Sequence, residues 1–407
     1  MKATIHPSRL AGTVPAIASK SQAHRLLICA ALADRPTSVA CPTLSADITA
    51  TADCLRALGA EIDYNDGVFS VKPIASVPAH PVLDVGESGS TLRFLLPVVC
   101  ALGAEAEIVM HGRLPQRPLS PLWEELEAHG AALSRPRPDV IAVSGKLAAG
   151  HYTIAANISS QFISGLLFAL PLLEGDSNIM LTECLESASY LTMTVRALGL
   201  FGVDCPFRDN VFTVPGGRSL TSPGEAWVEG DWSNAAFWVV ADHICGGTLD
   251  MTGLAPDSPQ GDRAVVELAR QIAGGNAVID CQDVPDLVPV LSVLAAVTPG
   301  ETRFVNAGRL RIKESDRLAT TAGLLTALGG QAEELSDGLV VTGRERLSGG
   351  EVDSANDHRI AMSAAVATLA CEGPVVLHGA QAVNKSYPGF WNDYVNLGGR
   401  VTLEDEP

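Results

Sequence analysis

A weak internal repeat of about 70 residues constrains the fold of this chain more than any other feature of its sequence. Six amphipathic segments each end in a glycine that is followed by a strand-like stretch. Glycine is common just after the last turn of a helix, because it adopts the left-handed backbone conformation at little cost. We therefore predict that helices end at six glycines, namely Gly59, Gly130, Gly199, Gly275, Gly329 and Gly398.

A second series of features recurs in step with these glycines. Six strongly apolar helices each begin after a polar segment, near Lys20, Glu87, Ser159, Asp231, Asp283 and Asp357. Serine and aspartate favour the start of a helix, where their side chains accept a free backbone N–H. The candidate N-caps are Ser19, Ser88 or Ser90, Ser159 or Ser160, Ser233, Asp283 and Asp357. The intervals that begin at Asp231 in this series and at Gly275 in the first are shorter than the rest.

Pairs of short strands follow most of these glycines. One pair flanks the turn 65–67 and another flanks the turn 336–338. Both turns contain the Asp-Gly sequence that is typical of tight hairpins. The repeating unit is therefore strand, helix, strand, helix, strand, strand. Six such units predict an α/β (α+β) chain of two domains, each with three units.

The chain is expected to cross between the two domains twice. After Gly399 the last unit has room for only one strand, so we expect residues 3–5 to supply its partner. The crossings then fall near residues 12–15 and in the loop-rich stretch 222–227. The prediction is one domain of residues 1–14 and 227–407, with repeats four to six, and a second of residues 15–226, with repeats one to three.

The charge of the chain argues against a nucleic-acid partner. The formal net charge is −18, so an anionic ligand needs a local cluster of cations. Hydrophobic residues make up 47% of the chain, which is enough for a large core. No apolar run reaches the roughly 18 residues of a membrane span, so we expect no membrane partner.

The cysteines and the N-terminal residues indicate the compartment. The nine cysteines are scattered and form no C-x-x-C pair, which favours buried thiols in a reducing compartment over disulfides or zinc. The first residues contain no long apolar segment of the kind found in secretory signals. We expect a cytoplasmic monomer whose partners are small molecules.

Cationic and hydroxyl side chains gather in the segments that precede the helices and in loops between them. These segments are 20–25, 86–93, 113–118, 159–161, 309–317, 357–359 and 384–388. A helix N-terminus carries partial positive charge, so Lys20 and Arg25 cost free energy there unless an anion joins them. In an acidic protein this pattern predicts a cationic cleft between two domains that binds two small anions. Taken singly, each segment is also compatible with a helix cap, a turn or a solvated charged surface.

Two carboxylates, Asp286 and Glu314, stand out among these cations. A carboxylate kept beside anionic substrates is what proton transfer requires. The structural alternatives are a first-turn helix acid for Asp286 and a simple ion-pair partner for Glu314. The sequence contains no G-x-x-x-x-G-K-[ST] phosphate loop, no G-x-S-x-G nucleophile motif and no His/Cys cluster with metal spacing, so we expect no metal.

Ten motifs along the chain, in order, resemble those of the 5-enolpyruvylshikimate-3-phosphate (EPSP) synthase family. The resemblance covers essentially the whole chain, and ten motifs in one order are far more specific than any one alone. They are Ser19-Lys20-Ser21-x-x-His24-Arg25, Gly86-x-x-Gly89-Ser90-x-x-Arg93, Gln116-Arg117-Pro118, Ser159-Ser160-Gln161-Phe162, Ser187-x-x-Tyr190, Val228-Glu229-Gly230-Asp231, Asp283-x-Pro285-Asp286, Lys313-Glu314-Ser315-Asp316-Arg317, Asp357-His358-Arg359 and Asn384-Lys385-Ser386-Tyr387-Pro388.

The resemblance implies a fold and an activity. The fold is two inside-out α/β barrel domains, each of three β-α-β-α-β-β repeats, with a cleft between them. The activity is the transfer of the enolpyruvyl group of phosphoenolpyruvate to the 5-hydroxyl of shikimate 3-phosphate. Phosphate is released through a tetrahedral intermediate, and no metal or organic cofactor takes part. The reaction belongs to the shikimate pathway, which leads to chorismate and the aromatic amino acids.

The resemblance also implies roles for individual residues. Shikimate 3-phosphate would be held by Lys20, Ser21, Arg25, Ser159, Ser160, Gln161, Ser187, Asp286 and Lys313. Phosphoenolpyruvate would be held by Lys20, Gly89, Arg117, Gln161, Arg317, Arg359 and Lys385. Asp286 would take the proton of the 5-hydroxyl, and Glu314 with Lys20 would handle the proton at the enol methylene. Three positions depart from the family pattern. Glu87 stands where many members have Asn, Arg309 where some have Asn, and Phe94 where others have Pro.

Three other functions compete with this interpretation. The enolpyruvyl transferase that acts on UDP-N-acetylglucosamine typically has a reactive cysteine in the loop equivalent to residues 112–117, and none is present here. RNA 3′-phosphate cyclases have related repeats, but the net charge of −18 and the Lys20 motif argue against them. A non-catalytic anion-binding protein would not need both Asp286 and Glu314 among its cations.

Overall fold

The computed structural model describes residues 1–183 and 185–405. The strands are β1 Lys2–His6, β2 Gly12–Pro15, β3 Thr37–Ala40, β4 Glu61–Asn65, β5 Val68–Lys72, β6 Val82–Asp84, β7 Ala106–Val109, β8 Ala131–Arg137, β9 Val140–Gly145, β10 His151–Ala155, β11 Ser177–Thr182, β12 Phe207–Arg208, β13 Val211–Val214, β14 Glu225–Trp227, β15 Leu249–Thr252, β16 Val278–Asp280, β17 Glu301–Val305, β18 Gln331–Leu335, β19 Gly338–Thr342, β20 Gly350–Asp353, β21 Val375–His378 and β22 Arg400–Glu404.

The α-helices are α1 Lys20–Ala31, α2 Ala46–Ala57, α3 Gly89–Leu102, α4 Leu122–Ala128, α5 Ser160–Ala169, α6 Ala188–Leu200, α7 Trp232–Cys245, α8 Val265–Ala273, α9 Val288–Ala296, α10 Arg317–Ala327, α11 His358–Thr368 and α12 Phe390–Asn396. Short 3-10 helices lie at Leu114–Gln116, Leu170–Leu172, Gly261–Ala264, Pro285–Leu287, Gly308–Ile312 and Ala380–Lys385. None of the helices in the described residues is long and apolar enough to cross a membrane.

The four-stranded sheets share one pattern of pairing. In the sheet β6-β7-β9-β8, the first two strands are parallel and the last two form an antiparallel hairpin on β7. The same order recurs in β10-β11-β13-β12, β14-β3-β5-β4, β16-β17-β19-β18 and β20-β21-β1-β22. The predicted unit of strand, helix, strand, helix, strand, strand is confirmed directly by the succession β6, α3, β7, α4, β8, β9.

Three strands complete repeats that are distant in the chain. β1 pairs antiparallel with both β21 and β22, so the prediction that residues 3–5 complete the last unit is confirmed. β14 pairs in parallel with β3 and begins the first repeat, and β2 pairs in parallel with β15 and begins the fourth. Among the described residues the fourth sheet has only β15 and β2, because the chain passes from α8 to β16 without a hairpin. This missing hairpin accounts for the shorter interval in the repeat.

The chain forms two compact units, one of Met1–Ile17 with Glu229–Pro407 and one of Ala18–Val228. These limits fall slightly later than the sequence-based limits of 14/15 and 226/227. Pro15 pairs with Thr252 in the first unit, and Ile17 accepts a hydrogen bond from the Asp231 N–H at 2.8 Å. Val228 donates its N–H to Ala40 at 2.9 Å in the second unit. Backbone hydrogen bonds therefore keep residues 15–17 in the first unit and residues 227–228 in the second, so each crossing lies slightly later than the loop residues predict.

Helices occupy the interior of each unit, and sheets cover them. In the 18–228 unit, residues 23–31 of α1 are all buried, and α3 and α5 are also buried on nearly every face. In the other unit the whole of α11 is buried. A helix that is apolar on all sides is stable only when it is surrounded by protein. The strand β4 alternates exposed and buried residues, as expected for a sheet with one face toward solvent. This is the inside-out arrangement that the resemblance implied.

Five of the six predicted helix ends are confirmed. Gly59, Gly130, Gly275, Gly329 and Gly398 all have positive φ and directly follow a helix C-cap. The prediction for Gly199 is wrong, since α6 continues to Leu200 and Gly202 takes the left-handed position with φ of 81°. Both glycines lie in the same turn, so local sequence does not choose between them.

The N-cap predictions are confirmed in part. Ser88, Ser159 and Asp357 cap α3, α5 and α11 through their side chains. Ser233 is wrong, because Asp231 caps α7 by accepting the Asn234 N–H at 2.8 Å.

The other two predicted caps also differ from the structure. Asp283 is wrong, because the 3-10 helix Pro285–Leu287 comes between it and α9. Ser19 occupies the N-cap position of α1, but its hydroxyl does not accept a helix N–H.

The described cysteines are all buried free thiols, as the scattered spacing predicts. They are Cys29, Cys41, Cys54, Cys100, Cys205, Cys245, Cys281 and Cys371. Cys184 lies outside the described residues.

Candidate active site

The first residue of α1, Lys20, forms an ion pair inside the 18–228 unit. Its Nζ donates to Oδ2 of Asp47 at 2.9 Å, and the two side chains are only 17% and 15% exposed. Asp47 lies in the first turn of α2, where the helix dipole stabilises its negative charge. The pair fixes the ammonium group at the start of α1, although sequence analysis did not identify Asp47.

Arg25 is a buried cation whose hydrogen-bond acceptors are neutral. Its Nε donates to Thr194 Oγ1 at 2.8 Å, and its guanidinium donates to the carbonyls of Ser21 and Tyr190 at 2.6 and 2.9 Å. The guanidinium also lies 5.0 Å from the centre of the Phe94 ring. Burial lowers the pKa of Arg25 to about 10, so it is still charged at neutral pH. A cation held by neutral acceptors retains its attraction for a bound anion.

Gln161 and two arginines surround the start of α3. The Gln161 amide donates to Ser90 Oγ at 2.9 Å and accepts from Nη1 of Arg93 at 3.0 Å. A Cβ at Gly89 would lie 2.6 Å from Nη1 of Arg93 and 2.8 Å from Nη1 of Arg117. Both guanidinium groups therefore approach the N-terminus of α3. Free backbone N–H groups and arginines at a helix start are an arrangement that binds anions.

Three serines from the sequence motifs lie at the starts of α5 and α6. Ser159 caps α5 by accepting the Gln161 N–H, and Ser160, which is buried, begins the helix. Ser187 precedes α6 with a left-handed φ of 58° and is 3% exposed. A buried non-glycine residue in this conformation is uncommon and is often found where function requires it.

In the unit of residues 1–17 and 229–407, Arg317 is the centre of a buried ionic cluster. Its Nη1 donates to Asp286 at 2.7 Å, and its Nη2 donates to Glu314 at 2.7 Å. Its Nε donates to Asp357 at 2.8 Å, and the Ser315 hydroxyl donates to the same carboxylate at 3.0 Å. The Arg317 side chain is 2% exposed. Burial alone would lower the pKa of Arg317, but Asp357, Glu314 and Asp286 together raise it, so its charge is permanent.

Asp286 joins a second arginine to this cluster. Nη2 of Arg359 donates to Asp286 Oδ2 at 3.1 Å and to Ser233 Oγ at 2.6 Å. Nζ of Lys313 lies 3.9 Å from Asp286 Oδ1. Asp286 is carried by the 3-10 helix Pro285–Leu287 rather than by the first turn of α9, which corrects the structural alternative given above.

The cations of the cluster control the ionisation of Asp286. Burial is the largest single influence and would raise the pKa of Asp286, but Arg359, Lys313 and Arg317 together outweigh it and hold the pKa well below its usual range. Burial lowers the pKa of Lys313 to about 8, although Asp286 opposes the shift. Asp286 is therefore a carboxylate at neutral pH, and Lys313 is close to titration.

Lys385, Arg309 and Glu87 have defined contacts. Nζ of Lys385 donates to the carbonyl of Asn356, the residue just before Asp357. Arg309 donates to the Gln282 carbonyl at 2.8 Å from the 3-10 helix Gly308–Ile312. A Cβ added to Gly112 would lie 2.5 Å from the Glu87 carboxylate, so Glu87 packs directly against this glycine.

The contacts thus connect the sequence-predicted residues in groups. Arg25 contacts Ser21, while Gly89, Arg117 and Gln161 come together through Arg93. Asp286, Lys313, Glu314, Arg317 and Arg359 form one cluster.

Asp47, Arg93, Ser233 and Asp357 contact the predicted site residues, although the sequence indicates no binding or catalytic role for them. It predicts Ser233 and Asp357 only as helix caps. Arg93 and Asp357 stand inside quoted motifs, and that position was a usable signal. Asp47 and Ser233 had no comparable signal, because their importance comes from partners distant in the chain.

Buried cations and carboxylates at helix starts, on a scaffold of repeated β-α units, define a class of enzymes that act on small anionic substrates. The family model of EPSP synthase (3-phosphoshikimate 1-carboxyvinyltransferase) matches residues 5–394, and the chain belongs to this family.

Individual relatives agree over the whole length. The chain is 41% identical over 419 residues to the 3-phosphoshikimate 1-carboxyvinyltransferase of Clostridium acetobutylicum, covering 98% of this chain and 97% of that protein. It is 39% identical to the protein of the same name from Clostridium kluyveri, with the same coverage. The structure of EPSP synthase from Acinetobacter baumannii matches with a TM-score of 0.81 and 26% identity, covering 99% of this chain and 100% of that one. The three competing functions are not favoured by any of these similarities.

Proposed function

We propose that this chain transfers the carboxyvinyl group of phosphoenolpyruvate to the 5-hydroxyl of shikimate 3-phosphate and releases phosphate. The shared name of relatives about 40% identical along the whole chain supports the reaction. The observation that carries the proposal is the buried cluster in which Arg317 contacts both Asp286 and Glu314 at 2.7 Å. Two carboxylates on one permanent cation provide the two proton-transfer groups that addition and elimination need.

For shikimate 3-phosphate we propose the binding residues Lys20, Ser21, Arg25, Ser159, Ser160, Gln161, Ser187, Asp286 and Lys313. The buried charge of Arg25 among neutral acceptors supports a phosphate ligand at this position. The serines supply hydroxyl donors for the remaining phosphate oxygens.

For phosphoenolpyruvate we propose the binding residues Lys20, Gly89, Arg117, Gln161, Arg317, Arg359 and Lys385. The absence of a side chain at Gly89 supports this role, since it leaves Arg93 and Arg117 close to the helix start. A carboxylate or a phosphate can accept two parallel hydrogen bonds from one guanidinium group.

In the addition step, Asp286 takes the proton of the 5-hydroxyl while the oxygen bonds to C2 of phosphoenolpyruvate. Glu314 first takes up a proton from solvent and then delivers it to C3 with the help of Lys20, so that a methyl group forms in the tetrahedral intermediate. Arg317 and Arg359 hold Asp286 ionised but weakly basic. An anionic substrate that engages these arginines lessens their hold on the carboxylate, and the pKa of Asp286 then rises toward the range useful for a base.

In the elimination step, the bond between C2 and the phosphate oxygen breaks and a proton leaves the methyl group. Glu314 accepts this proton and returns it to solvent, which restores the starting carboxylate. The cations stabilise the charge on the departing phosphate. The proton that Asp286 took from the 5-hydroxyl leaves with phosphate or passes to solvent.

We further propose that the chain works as a monomer in the cytoplasm. The buried free thiols of the described residues support a reducing compartment. Light scattering on the protein as it elutes from a size-exclusion column would test the oligomeric state. The mass of a dimer would contradict the proposed monomer.

Phosphate release tests the reaction. The protein is mixed with phosphoenolpyruvate and either shikimate 3-phosphate or UDP-N-acetylglucosamine, with a metal chelator present. We expect phosphate only with shikimate 3-phosphate. Release with the nucleotide sugar instead would replace this proposal with the sister activity, and release with neither would overturn it.

A further inference from the structure

A buried carboxyl group lies close to Arg359 in the unit of residues 1–17 and 229–407. Asp262 belongs to the 3-10 helix Gly261–Ala264, just before α8, and is 4% exposed. Burial, and next the neighbouring Asp286, raise the pKa of Asp262 to about 6, while Arg359 opposes the rise. Burial of an ionised carboxyl group costs free energy unless neighbouring cations or hydrogen-bond donors compensate for the lost hydration.

Ser233 connects this carboxyl group to the site. Nη2 of Arg359 donates to Ser233 Oγ at 2.6 Å, and the Ser233 hydroxyl donates to Asp262. A serine hydroxyl has one proton, so accepting from the arginine leaves that proton free for the carboxylate. The same Nη2 donates to Asp286 at 3.1 Å. The Arg359 guanidinium is thus held directly by Asp286 and through Ser233 by Asp262.

The loop that carries Asp262 is fixed by its own hydrogen bonds. The Gln260 amide donates to the Gly230 carbonyl at 2.8 Å and accepts the Trp232 N–H at 3.0 Å. The Gln260 N–H donates to Ser258 Oγ at 3.1 Å. The loop that carries Asp262 is therefore hydrogen-bonded to the start of α7, the helix that carries Ser233.

We infer that Asp262 is a positioning residue that acts through Ser233 to hold the Arg359 guanidinium in the orientation that receives phosphoenolpyruvate. The inference rests on the proposed function, which gives Arg359 that ligand. Without the carboxylate, the Ser233 hydroxyl can rotate, and its oxygen no longer holds the Arg359 guanidinium in one fixed orientation. Affinity for phosphoenolpyruvate then falls, while shikimate 3-phosphate, which has many other partners in the proposal, is little affected.

The test is a double-mutant cycle with Asp262→Ala and Ser233→Ala. Each variant should raise KM for phosphoenolpyruvate about 5- to 10-fold and leave KM for shikimate 3-phosphate within about twofold. The double variant should be no worse than the poorer single one, because both break the same chain of hydrogen bonds. Asp262→Asn keeps an acceptor for Ser233 and should recover most of the loss. Asp257→Ala makes the same charge change on the exposed part of this loop and should have no effect.

The inference is wrong if the increases in KM for phosphoenolpyruvate in the two single variants multiply in the double variant. It is also wrong if KM for phosphoenolpyruvate and KM for shikimate 3-phosphate change equally. If Asp262→Ala does not fold, Ser233→Ala decides alone by whether only the phosphoenolpyruvate KM rises. Calorimetric titration with phosphoenolpyruvate measures the affinities of the same four proteins for this substrate without requiring turnover. If the protein binds phosphoenolpyruvate but does not turn over, and the double variant loses no more affinity than the poorer single variant, the proposed reaction is wrong and the inference stands. If the protein turns over but the affinity losses of the two single variants multiply in the double variant, the proposed reaction stands and the inference is wrong.

Discussion

Arg317 donates to Asp286 at 2.7 Å in a partly buried contact between residues 31 positions apart in the chain. Asp286 is 17% exposed, so the carboxylate keeps access to solvent while its partner is enclosed. The same guanidinium group holds Glu314 and Asp357. Removal of any one of these carboxylates therefore leaves Arg317 with two others, so a single substitution does not leave the Arg317 charge uncompensated.

Asp286→Asn should lower kcat by about 10²- to 10⁴-fold, because the amide cannot take the proton of the 5-hydroxyl. KM for phosphoenolpyruvate should be unchanged or lower, since the variant frees Arg317 and Arg359 from one competing carboxylate. Steady-state kinetics with phosphate detection gives both values. Unchanged kcat would show that Asp286 is only an ion-pair partner.

The repeat, the helix starts and most of the cationic positions could be predicted from the sequence, because each depends on a few adjacent residues. The partners of the cations could not. Asp357 reaches Arg317 across 40 residues, and Ser233 reaches Arg359 across 126. Such contacts depend on how whole helices pack, and local spacing carries no information about that. The error at Ser233 has the same origin, since its hydroxyl serves Arg359 and leaves the cap to Asp231.

Lys20→Ala should lower kcat/KM by about 10²-fold or more, because the ammonium group is proposed to contact both substrates and to assist Glu314. Thermal stability should change little, with a Tm shift below about 3 °C. The Asp47 carboxylate left behind is still stabilised by the start of α2.

Lys72→Ala is the matched control for this variant. Lys72 pairs with Glu61 at 2.6 Å, but the two side chains are 64% and 72% exposed. Its loss should change neither activity nor Tm, since exposed pairs contribute little. A large drop in Tm for Lys20→Ala, with activity retained in the folded fraction, would make Lys20 a structural residue.

The pKa of about 8 at Lys313 predicts an alkaline limit to substrate binding. The lysine is charged below this pH and loses its proton above it, so KM for shikimate 3-phosphate should rise about tenfold per pH unit well above pH 8. Lys313→Arg keeps its charge and should shift this limit upward by more than one pH unit. Kinetics from pH 7 to 9.5 give KM for shikimate 3-phosphate as a function of pH in the unmodified protein and in Lys313→Arg. The same pH dependence in both proteins would contradict the assignment of Lys313 to this substrate.

Gly89→Ala should raise KM for phosphoenolpyruvate about tenfold with little change in KM for shikimate 3-phosphate. The added methyl group would lie 2.6 Å from Arg93 Nη1 and 2.8 Å from Arg117 Nη1, so both guanidinium groups must move away from the start of α3. Gly199→Ala is the control, because Gly199 lies inside α6 with open space at its Cβ. That variant should keep both KM values and gain about 0.5–1 kcal/mol in the free energy of unfolding. Equal effects of the two variants on KM would mean that the arginines at Gly89 do not bind phosphoenolpyruvate.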